Sequence, residues 1–251
     1  MRELHGDAIV IVKAAPQFGE RYGETVCCAG IDTNENWVRL YPVSFRILED
    51  GKKFSRWDRL TYKYNLPKDD KRIESRRILQ DSIQVSSPVG EKDRVRLLNR
   101  ISVDALGPVQ ESGKSLALLR VEVLDFFYQK KSDDDIQSEI NTINKYHSQA
   151  ELFSVKTIIP LTPCPYIFKY RYRCGDGERV GTCQDWEIEA TYFKWKNEYG
   201  EKEALDRMVS RFGVEYPKKG MALAMGTHSR FPTWLINGVI RVDWSNQFNL
   251  L

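Results

Sequence analysis

Residues Asp185, Glu187 and Glu189 alternate with Trp186, Ile188 and Ala190 in the stretch TCQDWEIEATYFKWKNEYG, residues 182–200. Carboxylates set among large aromatics are raw material for acid–base chemistry. An apolar wall raises a carboxyl's pKa by desolvation, and a helix N-terminus lowers it. An acid so placed can orient or activate a water, with a neighbouring carboxylate assisting. His228, in GTHSRFPTW, offers an imidazole that titrates near neutrality. Its loop gathers Thr227, Ser229 and Arg230, so backbone N–H groups, hydroxyls and a guanidinium can converge on a phosphate. The same residues also have structural uses. Asp185 can finish a helix cap, the glutamates can pair with Lys194 and Lys196, and the His228 loop can simply join two strands.

Basic residues form two groups. In YIFKYRYRC, a strand would put Ile167, Lys169, Arg171 and Arg173 on one face and Phe168, Tyr170 and Tyr172 on the other. That is a cationic ladder over an aromatic layer, suited to a phosphate backbone or to an exposed face above a core. In DKRIESRR, Lys71, Arg72, Arg76 and Arg77 stand beside Asp69, Asp70 and Glu74. A third platform is NWVRLYPV, whose alternation places Trp37, Arg39 and Tyr41 together on one strand face.

These groups need elements to position them. DAIVIVKAA is an apolar run of strand length, and Cys28–Ile31 with Trp37–Leu40 reads as a hairpin across the turn DTNEN. WDRLTYKYN and KRIESRRIL supply further strands. A short helix follows SSPVG, with Ser87 as its cap, and SLALLRVEVLDFFYQK is a long strand or a bent pair. SDDDIQSEINTINKYHSQA is a surface helix. Residues 182–200 are read as a helix capped by Thr182. Its stripes, Trp186–Ala190–Phe193 and Ile188–Tyr192–Trp195, bury it on two sides. GEKEALDRMVSRFG is a helix stopped by Gly213, and MALAMGTH and TWLINGVIRVDW are closing strands. The fold expected is mixed α+β. A β-rich half with a barrel-like or meander sheet, residues 1–150, precedes an α/β half, 151–251, and the two either separate there or share one core. The hairpin-rich first half resembles small nucleic-acid-reading barrels of the PUA or oligonucleotide-binding type.

Composition bounds the functions. The 251 residues suffice for a real core, and 38 basic against 35 acidic residues leave a net charge of only +3. Any nucleic-acid contact must therefore come from local patches. No apolar run approaches a membrane span, and the opening MRELHGDAIVIVKAAP is no secretory signal. The five cysteines are odd in number and lack a disulfide-like spacing, which points to reduced thiols in the cytoplasm. Cys164, Cys174 and Cys183 with His228 lack zinc-ribbon spacing, so no metal and no cofactor is expected. The sharpest reading is a DNA- or RNA-acting hydrolase that excises a base. Asp185 would position water, Glu187 or Glu189 would assist, and His228 would help the base leave beside Trp186. A nuclease is the nearest alternative. The other is a non-catalytic reader of RNA or modified DNA.

Overall fold

The computed structural model describes residues 3–19, 23–151, 161–228, 231 and 233–242. Its first half opens with β1 (Leu4–Lys13), the short β2 (Gln17–Gly19), β3 (Gly23–Ile31) and β4 (Trp37–Val43), followed by β5 (Arg59–Asn65) and β6 (Ser75–Ser86). β1 pairs with both β3 and β5, β5 with β6, β6 with β4 and β4 with β3, so the sheet closes into a five-stranded barrel. The expected hairpin forms in the register Cys28↔Leu40, Ala29↔Arg39, Gly30↔Val38 and Ile31↔Trp37. Counting only barrel strands in chain order, the closed sequence is 1-2-3-5-4 and back to 1, and only the 3–5 pair is parallel. That is the connectivity of an oligonucleotide-binding (OB) barrel.

α1 (Glu91–Ile101) leaves the first barrel, capped by the backbone at Gly90 rather than by Ser87. The chain continues through β7 (Ser102–Val103), α2 (Gly107–Glu111), β8 (Leu116–Arg120), β9 (Glu122–Lys130) and α3 (Asp133–Glu151). Then come β10 (Tyr166–Cys174), β11 (Gly177–Thr182), α4 (Trp186–Tyr199), α5 (Glu201–Met208), β12 (Met221–Thr227) and β13 (Trp234–Arg241). β8 and β9 act as one bent strand: β9 pairs with β10, and β8 with β12. β10 pairs with β11 and β12 with β13, while a parallel bridge, Cys183↔Ile236, joins the end of β11 to β13. The strand order of the first barrel is thereby repeated. The second half is an OB-type barrel as well, with its main helices between the third and fourth strands.

The barrels separate between Ser86 and Leu116, because Leu116–Lys130 pairs with second-barrel strands and Asp133–Glu151 is an insertion between its first two strands. Each barrel has its own apolar interior. Val26, Cys28, Val38, Leu40 and Leu60 fill the first, and Phe126, Phe168, Tyr170, Tyr192 and Phe212 the second. Between them lies a seam of Ile11, Val12, Ala29 and Ile31 against Leu116, Leu118, Ala222, Ala224 and Ile240. Strands bordering the seam bury both faces, which is why Ala8–Val12 and Met221–Met225 are apolar without alternation. Gly30 lets β3 approach β1 here: a Cβ on it would sit 2.5 Å from the Ile9 carbonyl oxygen.

α4 is the helix expected, but of its two stripes only Ile188 and Tyr192 are fully buried, and Ala190 is exposed. Ile188 and Tyr192 close the second barrel, and Trp186 packs on the first-barrel cluster. Gly213 does not stop the helix after α5. The chain passes through it in a wider helical turn, Val209–Glu215, where its missing side chain admits Phe126, whose Cβ is 3.1 Å from the position a Cβ would take. No helix among the described residues is long and apolar enough to cross a membrane.

Candidate nucleic-acid interface

The acid segment is built into the seam. Past β11, the Gln184 N–H donates to the Ile236 carbonyl (2.7 Å) and the Ala15 N–H to the Gln184 carbonyl (2.7 Å), so residues 184 and 185 are laced to both barrels. Asp185, not Thr182, caps α4: its Oδ1 accepts from the Glu187 N–H at 2.9 Å. Its Oδ2 accepts from the Val239 N–H at 2.7 Å and from Arg56 Nη2 at 3.2 Å. Arg56 Nη1 also donates to the Val239 carbonyl (2.8 Å). At 2% exposure, the Asp185 carboxylate is buried in this anchor, with three of its roughly four acceptor positions taken.

The other proposed catalytic groups do not assemble around it. Glu187 pairs with Arg56 (3.2 Å) rather than with a lysine of its own helix; burial raises its pKa, against the pull of Arg56. Burial also raises Glu189, opposed by Lys131 and reinforced by Glu139. Trp186 is packed edge-on against Phe45, with ring centroids 5.7 Å apart, so it is no open base platform. His228 donates its N–H to the Thr233 carbonyl (2.9 Å) and stacks on Phe231. It sits by the Thr227↔Trp234 end of the β12–β13 hairpin, whereas Asp185 holds Val239. At about 3.3 Å per residue, that is roughly 16 Å along the strand. Ser229 and Arg230 lie outside the described residues. Cys164 and Cys183 are buried in the second core. Burial pushes the Cys164 thiol up to about 12 and Cys183 well above its ordinary value, which opposes the thiolate a metal needs. Among the described residues, no group of three or more His, Cys, Asp or Glu is placed to hold a metal ion.

The strand platform of the first barrel is covered. Trp37, Arg39 and Tyr41 share a face as expected, but the second barrel lies on it. Arg39 is 3% exposed and donates from Nη2 to the Ser115 carbonyl (3.3 Å) and Oγ (3.2 Å). Buried Glu74 accepts from the Ser115 N–H (2.6 Å) and hydroxyl (2.9 Å). Trp37 packs half-buried on the seam, and Tyr41 is exposed.

The ladder on β10 is open. Phe168, Tyr170 and Tyr172 point into the second core, while Lys169, Arg171 and Arg173 point out, on the side of the barrel away from the seam. Cross-strand pairing sets the neighbours of each cation. Lys169 lies between Phe127 and Thr182, Arg171 between Asp125 and Val180, and Arg173 between Glu122 and Glu178. Arg173 is held by both its glutamates, at 2.7 and 2.5 Å. Lys169 donates to Gln129 (3.0 Å). Arg171 makes no hydrogen bond or ion pair among the described residues, and Val180 beside it is 60% exposed. The first three strands of an OB barrel thus present uncommitted positive charge next to apolar side chains. Phe127 and Val180 cannot be read from the ladder's own sequence, because each lies on a different strand and only the register brings them together.

The DKRIESRR cluster runs from the loop between β5 and β6 into the first residues of β6. Arg72 is tied by Nε and Nη2 to Asp70 (2.8 and 2.6 Å), and its Nη1 donates to the Thr227 carbonyl (2.8 Å). Arg77 pairs with Asp69 (2.6 Å), and Arg76 donates to the Ile73 and Ser75 carbonyls.

The family profile of Domain of unknown function (DUF8757) matches residues 100–250, more than half of the chain. The chain belongs to the DUF8757 family. The DUF8757 match spans the second barrel with its open ladder. A second profile, Domain of unknown function (DUF8758), matches residues 5–102, the first barrel and α1. No curated protein matches the chain. Among solved structures, a chain from "Structure and Conformational Change of a Replication Protein A Heterotrimer Bound to ssDNA" aligns at 9% identity and a TM-score of 0.29, over 99% of this chain and 67% of its own. A likeness at that score carries no argument. The OB assignment of the DUF8757 barrel rests on its strand order.

Proposed function

We propose that the protein is a non-catalytic reader of single-stranded nucleic acid, and that the strand crosses the open face of the second barrel over Lys169 and Arg171. The observation that carries this is the contrast between two barrels of one connectivity. The outer face of the second and third strands is the ligand-binding face of OB barrels. In the first barrel it is largely buried under the second. In the second barrel it is open among the described residues and carries the Arg171 guanidinium, unpaired among those residues, between Asp125 and Val180, with Lys169 beside Phe127. OB faces take oligosaccharides as well as oligonucleotides, but an uncommitted cation gains most from a phosphate. A flexible single strand can lay its bases on apolar side chains while its phosphates meet the cations. Base excision would need a carboxylate able to hold water, and Asp185 is engaged by an arginine and two backbone N–H groups.

Anisotropy titrations of labelled single-stranded DNA and RNA, with duplex as comparison, test this. The wild type binds single strands of one or both chemistries more tightly than duplex and leaves them intact after alkali. The double variant Lys169→Ala/Arg171→Ala, both on the surface, folds normally and loses at least about tenfold in affinity, at ~1 kcal/mol or more per charge-assisted contact. Undiminished binding by the variant, or alkali-revealed breaks, would defeat the reading.

A further inference from the structure

We propose that the β5–β6 loop of the first barrel is a second subsite for the same strand, continuous with the β12–β13 hairpin end of the second barrel; this rests on the reading just given. The Arg72 contact to the Thr227 carbonyl joins the two fourth-to-fifth-strand connections, one from each barrel. Asp70 holds Arg72 from behind, and the Ser75 hydroxyl donates to Asp70 at 2.7 Å. The Thr227 N–H donates to the Ser115 carbonyl (2.9 Å), which also receives Arg39. A chain of hydrogen bonds therefore runs from one loop through the seam to the other, and it fixes their relative position.

What the junction presents outward suits a nucleic-acid strand. Ile73 is 60% exposed and Phe231, stacked on His228, is 62% exposed; Leu66 and Tyr41 also reach solvent. Lys68 and Lys71 are exposed on the same loop, and Arg77 borders it. Apolar and aromatic side chains beside lysines are the composition of a stacking track. Arg72 itself is consumed internally, so it is a positioning residue rather than a contact. The parallel bridge Cys183↔Ile236 brings the start of β13 alongside β11, at the edge of the ladder face. A strand leaving Lys169 and Arg171 by that edge meets Phe231 and then the first-barrel loop.

The test compares mixed-sequence single-stranded oligonucleotides of roughly 8 and roughly 20 nucleotides, lengths chosen against site sizes of about 4–16 nucleotides per OB fold. Wild type binds the longer oligomer at least about tenfold more tightly, as expected for a second, tethered contact. Lys68→Glu/Lys71→Glu abolishes that advantage and leaves binding of the short oligomer unchanged. Arg72→Ala does the same, and Arg72→Lys, which keeps a donor toward Thr227, restores part of the advantage. A purely structural role for Arg72 would weaken both lengths alike. If the wild type binds both lengths equally, or the charge-reversed variant keeps the advantage, the second subsite is wrong while the reader function stands. If neither length binds, the parent reading fails and this one with it.

Discussion

Two residues with similar promise in the sequence have opposite fates. Asp185 is surrounded by partners that lie 129 and 54 positions away in the chain, Arg56 and Val239. Its helix-capping role is local and legible from TCQDWEIEA; its service to the seam is not, because nothing near it in sequence signals an arginine arriving from the other barrel. Asp185→Asn keeps the shape but removes the charge facing Arg56. It is expected to lower stability by about 2 kcal/mol, the scale of hydrogen bonds to charged groups, with oligonucleotide binding retained in the folded protein. Urea unfolding and a titration at low temperature measure the two effects separately. Arg171 is the reverse case: period-two alternation places it outward, and the role proposed for it rests on its place on the open face of the second barrel. Each phosphate contact on a single strand contributes about 0.7 to the slope of log affinity against log salt. Arg171→Ala should therefore flatten that slope by about 0.7, and an unchanged slope would mean that Arg171 meets no phosphate.

At the scale of elements, β10 and α4 were readable because their patterns are self-contained: strict alternation in one, two apolar stripes in the other. The alternation of Trp37, Arg39 and Tyr41 places them on one face, yet which neighbour covers that face is decided by β8 and β12, far along the chain. The loop between β5 and β6 shows a similar limit. Its charges look like a solvated cluster, but Asp70 and Arg72 form an internal clasp. Burial by itself would raise the Asp70 carboxyl; hydrogen bonds from Arg72 and Ser75, with the Arg72 charge, outweigh it and bring the pKa down to about 2, from an ordinary 3.8. A depressed carboxylate stabilises the fold fully above about pH 4 and loses that contribution as pH falls through about 2. The stability difference between wild type and Asp70→Asn should be constant above about pH 4 and close toward pH 2. A gap that persists in acid would show that the clasp does not depend on the Asp70 charge.

For the whole molecule, the seam matters more than either barrel. The continuous apolar runs Ala8–Val12 and Met221–Met225 hinted at burial on both faces, but a sequence does not reveal that the covering layer is a second copy of the same topology. The helix Asp133–Glu151, just before the division expected near residue 150, is an insertion between the first two strands of the second barrel. A shared seam couples the barrels, so calorimetry of the intact chain should give one cooperative transition, with calorimetric and van't Hoff enthalpies agreeing. Gly30→Ala, which forces a Cβ onto the Ile9 carbonyl, should destabilise that single transition by about 1–3 kcal/mol without splitting it. The seam also dictates which face remains for a ligand, and ultraviolet cross-linking of a bound single-stranded oligonucleotide, followed by peptide mapping, reads that face directly. Cross-links on 122–130 and 166–182, the strands carrying Phe127, Lys169, Arg171 and Val180, are the predicted result. A bound strand whose cross-links fall instead on the β1–β5 side of the first barrel and on α1 would contradict it.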